Sequence, residues 1–122
     1  YLLSSVNDFT LLCRNFVMNF FSDAKVKIEE TKVNSEGLEI TAQVFSDKWE
    51  NIEMFKFFRS TGAVGDLYVR DFHSKMRDIK CERGYCITAG TFTEEAKKYV
   101  EGRPIDLIDK PKLIVALKRI EK

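Results

Sequence analysis

One short segment constrains the fold of this chain more than any other. Residues 52–59 run Ile52, Glu53, Met54, Phe55, Lys56, Phe57, Phe58, Arg59. Side chains alternate between the two faces of a strand. Here both faces are apolar except at Glu53 and Lys56. A strand of that kind lies inside a sheet and is covered on both sides. The rest of the chain therefore has to supply neighbouring strands and two covering layers.

The flanking sequence provides them. Val6, Phe9, Leu12, Cys13, Phe16, Val17 and Phe20 recur at helical spacing and predict a first helix over residues 7–21, closed by Ser22 and Asp23. Val26 and Ile28 mark a first strand; Leu38, Ile40, Ala42 and Val44 mark a second, with Glu39, Thr41 and Gln43 on its other face. Between them, Asn34, Ser35, Glu36 and Gly37 form a good hairpin turn. Ser60, Thr61, Gly62 and Ala63 break the third strand. Val64, Leu67, Tyr68, Phe72, Met76 and Ile79 predict a second helix. Tyr85, Cys86, Ile87 and Thr88 read as a short buried strand. Thr91 to Glu94 has capping-box spacing and opens a third helix, which ends at Gly102 ahead of Pro104. Ile105 to Ile108 is another short strand, and Asp109 caps a last helix carrying Leu113, Ile114, Leu117 and Ile120, with Pro111 in its first turn. The order is α-β-β-β-α-β-α-β-α: an α/β fold with a mixed central sheet flanked by helices and right-handed β-α-β crossovers.

With 122 residues, the chain is expected to be a single domain spanning 1–122. It opens on Tyr1 without an initiator Met, which predicts a domain taken from a longer protein. Twenty basic residues against 19 acidic ones exclude a basic nucleic-acid tail and an acidic solvating tail, but not a local basic face. No apolar run reaches the roughly 18–20 residues of a membrane helix. The three cysteines are few and badly spaced for zinc, with four residues between Cys81 and Cys86, and there is a single histidine. A reducing, cytoplasmic setting fits that usage. Gly62 to Asp66 lacks the Lys-Ser/Thr of a phosphate loop, and no nucleophile elbow occurs. Cysteine–histidine catalysis would need His73, which reads as a boundary residue on the second helix.

The C-terminal half carries a resemblance. Gly84, Tyr85, Cys86, Ile87, Thr88, Ala89, Gly90, Thr91, Phe92, Thr93, Glu94, Glu95, Ala96 and then Gly102, Arg103, Pro104, Ile105, Asp106, Leu107, Ile108, Asp109 resemble the Mrr-like restriction endonuclease domain. That family has a strand ending in threonines, then Phe-Thr, a helix with Glu-Ala and an Ile-x-Leu-Ile-Asp strand. The likeness extends over about residues 9–117 and implies the PD-(D/E)xK nuclease fold. It further implies phosphodiester hydrolysis with Mg²⁺, an acid on the second core strand, and an acid two residues before a lysine on the third. The metal polarises the phosphate and activates water, and the lysine positions that water or stabilises developing charge.

On these residues the lysine falls at Lys56 and the upstream, metal-binding acid at Glu39. The acid before the lysine falls at Met54, and a first-helix glutamate of many relatives falls at Thr10. Glu53 is adjacent but points to the opposite face unless a bulge re-aims it. Catalytic candidates are thus Lys56, Glu39 and Glu53, with Glu39 the metal candidate. Candidate DNA contacts are Arg59, Lys75, Arg77 and Thr88. Bland readings stand beside these. Lys56 is either a site remnant or a structural partner of Glu39, the threonines are turn and cap residues, and the Arg59–Arg83 basic stretch is a solvated helix face. The aromatics Phe55, Phe57 and Phe58 read as core. Three functions remain open: a DNA-bound module with weak or absent catalysis, a working Mg²⁺-dependent endonuclease using Glu39, Glu53 and Lys56, and a non-catalytic interaction or regulatory domain. A homodimer would suit cutting of both strands, although no interface stripe stands apart from the core stripes.

Overall fold

The computed structural model describes residues 6–21, 24–59 and 62–120. Ser22, Asp23, Ser60 and Thr61, expected to punctuate the chain, lie outside the described residues, as do Tyr1 and the side chains of Val6 and Ile120. Helix α1 (Val6–Phe20) leads into the antiparallel strands β1 (Lys25–Val33), β2 (Gly37–Phe45) and β3 (Glu50–Phe58). The turn between β1 and β2 closes through Asn34 N–H to Gly37 O (2.9 Å), and the Asn34 side-chain oxygen accepts from Glu36 and Gly37 N–H. Gly37 is required there because a Cβ would stand 1.8 Å from the Phe57 carbonyl oxygen.

The doubly apolar strand β3 lies at the centre of a five-stranded sheet of order β1-β2-β3-β5-β7. Strands β5 (Arg83–Thr88) and β7 (Ile105–Ile108) add in parallel. Every residue from Glu53 to Phe58 is buried. On one face α1 and α4 (Lys110–Ile120) cover a core of Phe16, Val17, Leu38, Ile40, Phe55 and Phe57. Phe55 stacks on Tyr85 with ring centroids 4.6 Å apart. On the other face α2 (Asp66–Asp78) and α3 (Glu94–Tyr99) cover Met54, Phe58, Val69, Phe72, Met76 and Cys86. The aromatics of β3 are core residues, as their pattern suggested.

Three local readings are corrected. Val64 is not in the second helix. It belongs to β4 (Ala63–Val64), which pairs in parallel with β6 (Thr91–Phe92) as a small second sheet. With α2 starting at Asp66, its buried stripe is Val69, Phe72 and Met76, whereas Leu67 and Tyr68 are exposed. The cap of α3 is Thr93 rather than Thr91: the Thr93 side-chain oxygen accepts from Ala96 N–H at 3.2 Å. In the last helix Ile114 faces solvent, while Leu113, Ala116 and Leu117 pack on the core. Among the described residues no helix is long and apolar enough to cross a membrane.

Candidate active site

Lys56 and Glu39 are direct cross-strand partners in the β2–β3 ladder. Both point toward the α2 layer and both are buried, Lys56 at 3% and Glu39 at 6% exposure. An ion pair in such a place has to be closely made, since an unpaired buried charge costs several kcal/mol. It is: Lys56 Nζ donates to Glu39 Oε2 at 3.0 Å. The pairing foreseen in the sequence is thus present. A second cation joins from α2, where Lys75 Nζ donates to the same Oε2 at 2.9 Å and also lies 3.5 Å from Asp71. Glu36, in the β1–β2 turn, brings a further carboxylate to 3.7 Å from Lys56.

Two ammonium groups on one carboxylate oxygen set the electrostatics. Burial works against ionisation of Glu39, but hydrogen bonds from Lys75 and Lys56 and the charges of both outweigh it and hold the carboxyl below its ordinary range. Lys75, mainly through its bond to Glu39, is held above the ordinary lysine range. On one side of this cluster opens a shallow cavity of about 270 Å³ bounded by Thr41, Met54, Lys75 and Asp78. On the other a broader cleft of about 530 Å³ is bounded by Glu36, Phe58, Arg59 and Tyr68.

The remaining candidates divide. Met54 shares the face of Lys56, two residues away, and is packed among apolar side chains. Glu53 is not part of the cluster. The β2–β3 register runs without interruption from Gly37 opposite Phe58 to Phe45 opposite Glu50, so no bulge turns Glu53 around. It faces the α1 layer, where Tyr85 Oη donates to Glu53 Oε1 at 2.8 Å. There burial raises its carboxyl above the ordinary range despite the bonds from Tyr85 and Asn51. Arg59 stands at the mouth of the broader cleft, its backbone N–H bonded to Glu36 O and its guanidinium 5.3 Å from the Phe9 ring centre. Thr88 is 1% exposed and its hydroxyl accepts from Gly90 N–H, holding the turn after β5. Arg77 is exposed on the flank of α2 turned away from Lys75. His73 is half-buried with Nδ1 2.8 Å from Tyr99 Oη, a boundary position as expected. The sequence reading missed Glu36. Its signal was a charged residue in a turn that closes back on the end of the lysine-bearing strand.

A family model described as restriction endonuclease (Mrr_cat) matches residues 8–117. No curated protein matches the chain. Among solved structures, the DNA modification-dependent restriction endonuclease AspBHI superposes with a TM-score of 0.67 at 15% identity, covering 90% of this chain and 30% of that one. MspJI restriction endonuclease in complex with a 27-mer oligonucleotide gives 0.63 at 21% identity, covering 92% and 27%. A repair endonuclease from Pyrococcus abyssi gives 0.57 at 16% identity, covering 89% and 48%. The chain thus spans less than a third of the first and second of these proteins and about half of the third. With the sheet order, the two helical layers and the family match agreeing over nearly the whole length, the chain belongs to the Mrr_cat restriction endonuclease family.

Proposed function

We propose that this chain is a DNA-binding module of restriction-endonuclease fold, working within a larger protein, in which metal-dependent phosphodiester hydrolysis is lost or greatly weakened. The observation that carries the reading is the double occupation of Glu39 Oε2 by the ammonium groups of Lys56 and Lys75. Mg²⁺ is a hard ion that takes oxygen ligands in near-octahedral geometry at about 2.0–2.1 Å. Its one aligned carboxylate is already neutralised by two cations, and the neighbouring position offers the soft thioether of Met54. Glu53 is on the far face, and among the described residues no group of three His, Cys, Asp or Glu side chains converges. The donor set does not fit a hard divalent cation. Lys56 is buried in its ion pair, and the cations left at the surface beside the cluster are Arg59, exposed at the broader cleft, and Lys75, part-exposed at the smaller cavity, where a phosphate would bind without being cut. The description of AspBHI as DNA modification-dependent and the 27-mer oligonucleotide in the MspJI complex support a nucleic-acid partner.

The test is incubation of the protein with supercoiled plasmid and Mg²⁺ or Mn²⁺, in parallel with a binding titration on duplex DNA at several salt concentrations. We expect no nicking, together with binding that falls steeply with salt. Cleavage abolished by Lys56→Ala would overturn the proposal in favour of a working endonuclease, for which Glu36 beside Glu39 and Lys56 is the favouring observation. Absence of binding at low salt would leave a non-catalytic interaction or regulatory domain.

A further inference from the structure

Helix α2 has a second charged flank that the cluster at Glu39 does not use. Lys75 leans toward β2, whereas Arg70, His73 and Arg77, spaced three and four apart, share the side that packs toward α3. Across from them stands Tyr99, at the end of α3. The Arg70 guanidinium lies 4.5 Å from the centre of the Tyr99 ring, and that of Arg103 lies 4.1 Å from it. His73 Nδ1 meets the Tyr99 hydroxyl at 2.8 Å. One aromatic ring thus organises two guanidinium groups and an imidazole, with Arg77 beside them. Like charges do not gather on a surface without a reason, and only Asp66, bonded to Arg70 Nε at 2.9 Å, is paired with them by an ion pair among the described residues. Burial, joined by the charges of Arg77 and Arg103, holds His73 below the ordinary histidine value.

We infer that this Tyr99-centred cluster of Arg70, His73, Arg77 and Arg103 is a second anion site, which receives the phosphate backbone of a DNA duplex on the flank of α2 opposite the Lys56 cleft. Stacking on Tyr99 restrains the guanidinium planes before the ligand arrives, so less side-chain entropy is lost per bond formed. Each guanidinium carries about five N–H donors; Arg70 gives its Nε–H to Asp66 and Arg103 gives an Nη–H to the Tyr99 carbonyl. The span favours a polyanion over a single phosphate. Arg70 and Arg77 are separated by about 10 Å along the helix, which is more than the separation of two neighbouring phosphates of one DNA strand. This inference rests on the proposed DNA-binding role but assigns it to a different surface.

The chain has one histidine, so the ring of His73 is an unambiguous reporter in proton NMR. The experiment measures binding of a labelled 20-base-pair duplex to the full chain across a salt series, for the parent protein, the double variant Arg77→Ala/Arg103→Ala, Arg103→Lys, and the charge control Lys48→Ala on the β2–β3 loop. We expect the double variant to bind about tenfold more weakly at low salt and to lose about two units of slope in log affinity against log salt, at about 0.9 per phosphate contact. Arg103→Lys keeps the charge and the fold and should recover most of the slope, and Lys48→Ala should change little. Saturating DNA should raise the titration midpoint of His73, because phosphate charge offsets the two arginines. If the double variant keeps the parent affinity and slope, or Lys48→Ala matches its loss, or the His73 midpoint does not move, the inference fails and the DNA-binding role stands on the cleft alone. If the parent protein binds no duplex at low salt, both fall together.

Discussion

Glu39 is the residue on which the buried charge of this molecule turns. Replacing it by glutamine leaves two ammonium groups facing a neutral amide. We expect Glu39→Gln to lose about 3–5 kcal/mol of stability at neutral pH, as for a buried ion pair broken by removal of one partner, measured by urea unfolding. The pH dependence has a definite sign. Because Glu39 is held below its ordinary value, its stabilisation is complete above the unfolded carboxylate range and is lost as pH falls through the folded value. Glu53 behaves in the opposite way. Its raised carboxyl favours the protonated form, so its contribution is present below the ordinary value and is lost as pH rises through the folded one. Glu53→Gln, which keeps an acceptor for Tyr85 Oη, should therefore be neutral or stabilising at pH 7, and unfolding midpoints from pH 3 to 8 should steepen for that variant and flatten for Glu39→Gln. Strand parity alone separated these two glutamates, since Glu39 and Lys56 fall on one face and Glu53 on the other. The arrival of Lys75 could not be read that way, because 36 residues separate it from Glu39 and no local period links them.

At the scale of elements, the contact between α2 and β5 depends on an absent side chain. A Cβ at Gly84 would stand 2.4 Å from Met76 Sδ and 2.5 Å from Phe72 Cε2, both on the buried stripe of α2. Gly84→Ala should cost about 1–3 kcal/mol through overpacking, read as a lower denaturant midpoint. The start of α3 offers a second check. Thr93→Ala removes the bond to Ala96 N–H and should destabilise by about 1 kcal/mol, whereas Thr91→Ala, in β6, should have a smaller effect. The capping-box spacing was misleading because Thr91 pairs with Ala63 in the small parallel sheet, which commits its backbone to an extended shape and moves the cap two residues on. The same sheet took Val64 out of α2 and thereby rephased the helix. An apolar stripe read from Val64 onward includes Leu67 and Tyr68. One started at Asp66 selects Val69 instead. The five long strands and four helices were legible because each carries its own period. A two-residue strand is too short to have one.

For the whole molecule, two layers close on one sheet and decide which groups solvent reaches. All three cysteines are free thiols. Cys13 and Cys86 are buried, one in each layer, and burial pushes the Cys13 thiol up to about 12. Cys81 is half-buried, with its thiol pushed up to about 11 by burial. Alkylation followed by mass spectrometry should therefore add a single label slowly to the native protein, at Cys81, and three labels quickly in urea. The sequence by itself determined the central strand, its two covering layers and the opposite faces of Lys56 and Glu53 along it, because alternation and helical period are local properties that burial enforces on each element separately. Only the tertiary structure decided that Lys75 completes the cluster at Glu39 and that Arg70 and Arg103 converge on Tyr99. Those meetings depend on where α2 crosses the sheet and how α3 lies beside it, and packing between elements distant in sequence sets both.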